Sequence, residues 1–336
     1  MGERVTVFGA GAWGLTLADL LSRKGCEVAV WDADTDIIRR LQRERSRGKP
    51  PGLVVAETVR FETEFEPAAG FGDIVVCVVP SFAVRPVCEQ LAASGNGLRG
   101  RVFVCCSKGI EEETLLLPSQ VFAEIFGAAA ASQFAVLSGP SHAEEVCRGI
   151  PTVVVTSSAE ITTAERVRDL FITPGFRVYT QSDCLGVELG GALKNVIAIA
   201  AGACDGLGFG DNTKAALITR GLAEIARAAI ALGARAQTLS GLSGLGDLIV
   251  TATSRHSRNR LFGELLATGR SPKQALEEVG AVVEGYRTCR SAHFLSRRIG
   301  VEMPITDAIY AVLFEGAGIA EATASLLGRD PKPEVY

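Results

Sequence analysis

The run Gly9-Ala10-Gly11-Ala12-Trp13-Gly14 narrows the choice of fold more than any other feature of the chain. It directly follows an apolar strand pattern, Val5–Phe8, and opens a helix pattern, Leu15–Lys24, that Gly25 stops. In that setting a Gly-x-Gly-x-x-Gly makes the first strand-to-helix turn of a βαβ unit. Gly9 permits the tight turn, Gly11 lets a pyrophosphate approach the backbone, and Gly14 lets helix and strand pack closely. The helix start offers free N–H groups to phosphate oxygens. Gly9, Gly11, Ala12, Trp13 and Gly14 are therefore read as a dinucleotide cradle.

The rest of the N-terminal half fits that unit. Short apolar runs at Val28–Trp31, Ile74–Val79, Val102–Cys106, Phe134–Leu137 and Thr152–Val155 alternate with helical or loop segments, the sign of a mostly parallel sheet. Near-continuous apolar runs such as Ile74–Val79 suit strands buried on both faces. Ile37–Arg45 reads as a helix with Asp34 and Asp36 near its start, and Arg45–Pro51 as a basic surface loop. From about Leu185 the texture changes to Ala, Leu and Gly. Helix patterns follow one another at Val187–Ala203, Lys214–Leu232, Asn259–Ala267, Pro272–Val279, Tyr286–Ile299, Pro304–Phe314 and Ile319–Leu327. The fold expected is α/β, a Rossmann-like, doubly wound, mostly parallel sheet followed by an all-α C-terminal domain. The boundaries expected are 1–185 for dinucleotide binding and 186–330 for a helical substrate-binding domain, with a tail that frays after Gly328. A length of 336 residues suits two such domains.

Composition removes several classes of function. Lys and Arg number 34 against 38 Asp and Glu, a net charge of −4, which argues against a nucleic-acid or anionic-membrane footprint. The longest uncharged stretch, 125–141, contains Ser132, Gln133, Ser138 and Pro140, so it reads as helix end, loop and buried strand rather than a membrane span. Met1-Gly2 through Thr6 fits a myristoylation pattern only formally, because Thr6 lies in the first strand. No stable membrane insertion is expected. The 9 Cys residues include no CxxC pair, which suits a reducing cytoplasm. His142, His256 and His293 lack metal-ligand spacing, so no metal is expected.

The chemistry-bearing residues are few. Asp32 ends the second strand, where an acid hydrogen-bonds a ribose 2′-OH and repels a 2′-phosphate. That favours NAD over NADP, although Arg39 or Arg40 is near enough to reach over; the alternative is a loop acid that caps a helix. Gly190-Gly191-Ala192-Leu193-Lys194-Asn195-Val196-Ile197 reads as a helix apolar nearly all round, hence buried. Desolvation lowers the pKa of Lys194 towards the range useful for acid–base chemistry, unless its head reaches solvent. Gly190 and Gly191 share its face and leave room beside the amine. Lys108 stands at the carboxyl end of a strand, where ligands gather. Ser138–His142 makes a turn at another strand end, with Ser141 as a candidate N-cap. Asp247, in a second glycine-rich loop, is placed to hold Lys194. Ser257 is a candidate N-cap, and Arg258 and Asn259 beside free helix N–H groups make a phosphate clamp or a solvated basic helix start. Glu284 meets the cofactor across the cleft or caps the next helix.

Taken together these motifs resemble the bacterial type of NAD(P)-dependent glycerol-3-phosphate dehydrogenase. The resemblance rests on GAGAWG at Gly9–Gly14, SKG at Ser107–Gly109, SGPSHAEE at Ser138–Glu145, GVELGGALKNVIAIAAG at Gly186–Gly202, GLGDL at Gly244–Leu248, SRNR at Ser257–Arg260 and VVEGY at Val282–Tyr286. It implies reversible oxidation of sn-glycerol 3-phosphate to dihydroxyacetone phosphate, feeding phospholipid synthesis. It assigns proton transfer to Lys194. It implies substrate contacts at Lys108, Asn195, Asp247, Thr251, Arg258 and Asn259, with Gly139 and Ser141 close by. It implies cofactor contacts at Trp13, Lys108, Ala143, Arg258, Val282 and Glu284. Family members often carry Arg or His where this chain has Asp32-Ala33-Asp34, which bears on NADP preference and not on the reaction. The rivals are another β-hydroxyacid-type dehydrogenase with a lysine base, and a non-catalytic NAD-sensing protein. The expected partner is a small phosphorylated substrate, and the apolar helical half has the surface for a homodimer.

Overall fold

The computed structural model of the chain describes residues 2–95, 97–98, 100–328, 330 and 333. The expected fraying after Gly328 falls mostly outside them. The N-terminal part is an eight-stranded sheet of order β3-β2-β1-β4-β5-β6-β7-β8. The strands are β1 (Arg4–Phe8), β2 (Glu27–Trp31), β3 (Arg60–Glu62), β4 (Ile74–Cys77), β5 (Val102–Cys105), β6 (Phe134–Ser138), β7 (Thr152–Ser158) and β8 (Phe176–Gln181). Among the described residues only β6 and β7 pair antiparallel; β1 sits between β2 and β4, with Val7 opposite both Val30 and Val76. The chain leaves β1 in one direction along the sheet and returns to its other side at β4. That reversal opens a crevice at the strands' carboxyl ends.

Helices α1 (Ala12–Arg23), α2 (Thr35–Glu44), α3 (Phe65–Phe71), α4 (Val84–Ala93), α5 (Pro118–Phe126), α6 (Ala143–Val146) and α7 (Ile161–Phe171) cover the sheet. Side chains alternate across it. Ile74 and Val76 join one apolar cluster with α1, α2 and α7, and Val75 and Cys77 join another with α4 and α5. The sequence reading lacks β3 and β8. Both lie at sheet edges, where one side meets water, so neither is a continuous apolar run. In β8, Phe176 and Val178 are buried while Arg177 and Tyr179 are exposed. The 125–141 stretch is helix end, a 3₁₀ turn at Ala128–Gln133, and β6.

The C-terminal part is helical: α8 (Cys184–Gly206), α9 (Asp211–Ala231), α10 (Ala236–Leu239), α11 (Asp247–Thr253), α12 (Arg258–Ala267), α13 (Pro272–Val279), α14 (Glu284–Ile299), α15 (Pro304–Phe314) and α16 (Ile319–Leu327). By length and composition α8 is apolar enough to cross a membrane, but 89% of its most apolar window is buried inside the protein, so it is a core helix. Helix α12 crosses α8 at backbone contact. A Cβ on Gly202 would lie 1.8 Å from the Arg260 carbonyl oxygen, and one on Gly263 would lie 1.9 Å from that of Ile199. This close crossing brings the start of α12 beside the middle of α8.

The two parts interpenetrate. Val187 of α8 belongs to the sheet's apolar cluster, and Ile110 and Leu117 belong to the helical one.

Candidate active site

The glycine loop has the geometry its sequence predicts. Gly9 has φ +111°, and a Cβ there would meet the Val78 carbonyl oxygen at 2.7 Å. Gly14 packs against the Gly9 carbonyl, so that a Cβ would lie 1.9 Å from its oxygen. A Cβ on Gly11 would meet nothing within 4 Å, which leaves the start of α1 open to a ligand. Ala12 begins α1, and Trp13 packs against Phe176 at 6.2 Å. These residues fit a dinucleotide pyrophosphate: an open backbone at a helix N-terminus with no side chain in the way.

Asp32 lies beside this loop. Its carboxylate accepts the Ala10 N–H at 2.7 Å and the Asp34 N–H at 3.0 Å. It caps no helix; Asp34 is the N-cap of α2. Arg39 and Arg40 do not reach over, since they pair with Asp36 and Glu44 on their own helix. Arg47 does, donating to the Ala10 carbonyl at 2.9 Å. An acid and a base thus meet on the two sides of one residue in the cradle. Sequence reasoning left Arg47 in a surface loop.

The second centre lies where the sheet meets α8. Lys194 is 5% exposed, so its head does not reach solvent. Its Nζ donates to Asp247 Oδ1 at 2.5 Å and to Thr251 Oγ1 at 2.6 Å. Lys108, from the end of β5, donates to the other oxygen of Asp247 at 2.6 Å and to the Gly139 carbonyl at 3.2 Å. Two lysines therefore share one buried carboxylate. Burial pulls the Lys194 amine down to about 7; Asp247 opposes the shift and Lys108 adds to it. Burial pushes Asp247 up, but the two lysines outweigh it and hold its carboxyl below the usual value.

Gly190 and Gly191 correct the sequence reading. A Cβ on Gly190 would meet the Ser243 carbonyl oxygen at 2.9 Å, and one on Gly191 would meet Ser138 Oγ at 3.0 Å and the Lys108 stem at 3.5 Å. They make room for the π-helical turn Leu242–Gly246 and for Lys108, not for a ligand. Ser141 is a second correction. Its hydroxyl donates to the Gly139 carbonyl at 3.1 Å, and the N-cap of α6 is His142, which precedes buried Ala143.

Ser257 does cap α12, accepting the Arg260 N–H. Arg258 is exposed at that helix start, where the first N–H groups have no intrahelical partner. The Asn259 side chain donates one Nδ2 hydrogen to Asn195 Oδ1 at 3.0 Å and accepts the Gly285 N–H at 2.9 Å, tying α12 to α8 and α14. For an anion Asn259 keeps its second Nδ2 hydrogen and its backbone N–H. Val282 is 38% exposed just before α14.

Glu284, the first residue of α14, accepts the Ser81 N–H at 3.0 Å and the Ser81 hydroxyl at 2.6 Å. Burial raises its carboxyl and Ser81 offsets part of the shift. It thus caps a turn of the sheet domain, Ser81–Ala83, rather than its own helix. Ser81 escaped the sequence reading, although it follows the end of β4, the kind of place where ligands gather.

The comparisons with known proteins identify the family. Residues 4–164 match the family described as NAD-dependent glycerol-3-phosphate dehydrogenase N-terminus, and residues 183–324 match its C-terminus. Glycerol-3-phosphate dehydrogenase [NAD(P)+] of Pelotomaculum thermopropionicum is 49% identical over 336 residues, covering 100% of this chain and 96% of that protein. The protein of the same name from Clostridium perfringens is 46% identical over 333 residues, 99% of each chain. The crystal structure of glycerol-3-phosphate dehydrogenase from Coxiella burnetii superposes with a TM-score of 0.93 at 34% identity, covering 98% of this chain and 99% of that one. Matches that span both domains at this identity exclude a non-catalytic sensor and a hydroxyacid dehydrogenase of another family. The chain is an oxidoreductase that uses NAD or NADP, and it belongs to the NAD-dependent glycerol-3-phosphate dehydrogenase family.

Proposed function

We propose that this chain interconverts dihydroxyacetone phosphate and sn-glycerol 3-phosphate with Lys194 as the proton donor and acceptor. The observation that carries the reading is the Lys194 amine, buried at the sheet–helix junction and shared through Asp247 with Lys108. When bound, the nicotinamide supplies a hydride to C2 of the ketone or takes one from C2 of the alcohol. As charge grows on the C2 oxygen, Lys194 donates its proton; in the reverse direction it accepts one. Asp247 and Thr251 fix the direction of the amine, and Lys108 keeps Asp247 from neutralising it fully. Arg258 and the open N–H groups of α12 hold the substrate phosphate, and binding energy remote from C2 orients the carbonyl. Gly139 and Ser141 line the same cleft. Cytoplasmic supply of glycerol 3-phosphate for phospholipid synthesis is the role that follows from this activity.

The cofactor site supports a preference for NADH that is not absolute. Asp32 repels a 2′-phosphate, and Arg47 on the far side of Ala10 provides the charge that tolerates one. Initial rates with NADH and NADPH, each against dihydroxyacetone phosphate and a panel of carboxylated ketones, test the whole reading. Turnover of dihydroxyacetone phosphate alone, faster with NADH, is the expected result. Equal turnover of unphosphorylated carboxylates would contradict it.

A further inference from the structure

Glu188 lies in the N-terminal part of α8 and is 5% exposed. Its carboxylate reaches out of the helical domain. It accepts the Ser119 N–H at 2.8 Å and the Ser119 hydroxyl at 2.5 Å, at the start of α5 in the sheet domain. Burial pushes this carboxyl up to about 7, and the two Ser119 bonds only partly offset the shift. Among the described residues no cation hydrogen-bonds this carboxylate, and a buried carboxylate so placed is a poor source of stability; an apolar side chain of similar volume would cost less. What such a group does provide is register, because its bonds are satisfied in one arrangement only.

That register matters because of what lies further along the same helix. Residues 188, 191 and 194 are three apart and run up one side of α8. Glu188 meets Ser119. Gly191 abuts Ser138 and the stem of Lys108. Lys194 meets Asp247, which Lys108 also holds. Glu188 and Gly191 thus meet the sheet domain directly, and Lys194, held by α11, is joined to it through the Asp247 carboxylate that Lys108 shares. A slip of one residue along a helix axis is about 1.5 Å, and a misplacement of about 1 Å at a reacting group costs on the order of a hundredfold in rate.

We infer that Glu188 is a positioning residue for the reaction: by capping α5 from within α8 it sets the height at which the Lys194 amine enters the crevice. The inference rests on the assignment of proton transfer to Lys194.

The test uses full-length Glu188→Ala, Glu188→Gln and Ser119→Ala, with dihydroxyacetone phosphate and NADH carrying either hydrogen or deuterium at the transferred position. Glu188→Ala should lower kcat about tenfold while KM for both ligands stays within about twofold, since the misplaced group acts in the chemical step. Its deuterium isotope effect on kcat should rise above that of the unmodified chain. Glu188→Gln, able to accept from the Ser119 N–H and donate to its hydroxyl, should recover most of kcat. A folded Glu188→Ala with unchanged kcat and isotope effect would overturn the inference, as would a Gln variant as impaired as the Ala variant. If Glu188→Ala does not fold, Ser119→Ala removes one of the two bonds and decides the matter by the same isotope effect: a rise supports positioning and an unchanged value overturns it. Failure of the underlying reading looks different. A Lys194→Ala that keeps its turnover removes the proton carrier, whereas an inactive Lys194→Ala beside an unaltered Glu188→Ala removes only the positioning role.

Discussion

Lys194 would be a poor acid–base catalyst at the surface, where an ammonium group stays protonated throughout the physiological range. Burial in α8 brings the amine down to about 7, and the shared Asp247 keeps it from losing its proton outright. The sign of the pH dependence follows. On the proposed mechanism ketone reduction consumes the Lys194 proton, so its rate should fall as pH rises through about 7. Alcohol oxidation needs the neutral amine, so its rate should fall as pH drops through the same value. Initial rates in both directions from pH 5 to 9, about two units either side of that value, check this; profiles of the same sign would contradict it. Arg47 carries the second expectation at this scale. A charge-assisted hydrogen bond is worth about 1.5–3 kcal/mol, so Arg47→Ala should reduce kcat/KM for NADPH by about tenfold or more and leave that for NADH nearly unchanged. Parallel titration of the two cofactors reads this out.

The helices are placed by small residues and by buried carboxylates. Glycines at the α8–α12 crossing put the Arg258–Asn259 helix start beside Asn195, the neighbour of Lys194 in α8. Gly263→Ala forces a methyl group against the Ile199 carbonyl. It should destabilise the fold by about 1–3 kcal/mol and raise KM for dihydroxyacetone phosphate more than for NADH, as thermal melts and steady-state kinetics would show. Three carboxylates do comparable work on helix starts. Glu188 caps α5, Glu284 caps the Ser81 turn, and Glu224 of α9 accepts the Ile305 and Thr306 N–H groups at the start of α15. This is also the scale at which sequence reading succeeds and fails. Periodicity places the cradle, the inner strands and the long helices, because each pattern is local and strongly apolar. It misses β3 and β8, whose edge positions mix buried and exposed residues. It misplaces the space beside Gly190 and Gly191, because the elements that fill it lie far along the chain. Ser81, Ser119 and Glu188 are silent in sequence for the same reason: each acquires meaning only from a partner on a remote element.

The whole molecule is organised around a seam that both domains build. Val187 is embedded in the sheet's core, Ile110 and Leu117 in the helical core, and Glu188 and Glu284 bond across the boundary. Neither domain closes its apolar surface alone. Calorimetry should therefore show one unfolding transition, and NADH, which binds the native state, should move it as a unit. Two transitions, with only the first responding to NADH, would contradict this coupling. The same seam places the amine of one domain against the crevice of the other, and the most direct test acts there. Turnover and NADH affinity should be measured side by side in Lys194→Ala. The account predicts that kcat falls by about a hundredfold or more while the NADH Kd from fluorescence titration stays within about threefold. Near-normal turnover in that variant, with NADH bound as tightly as before, would contradict it.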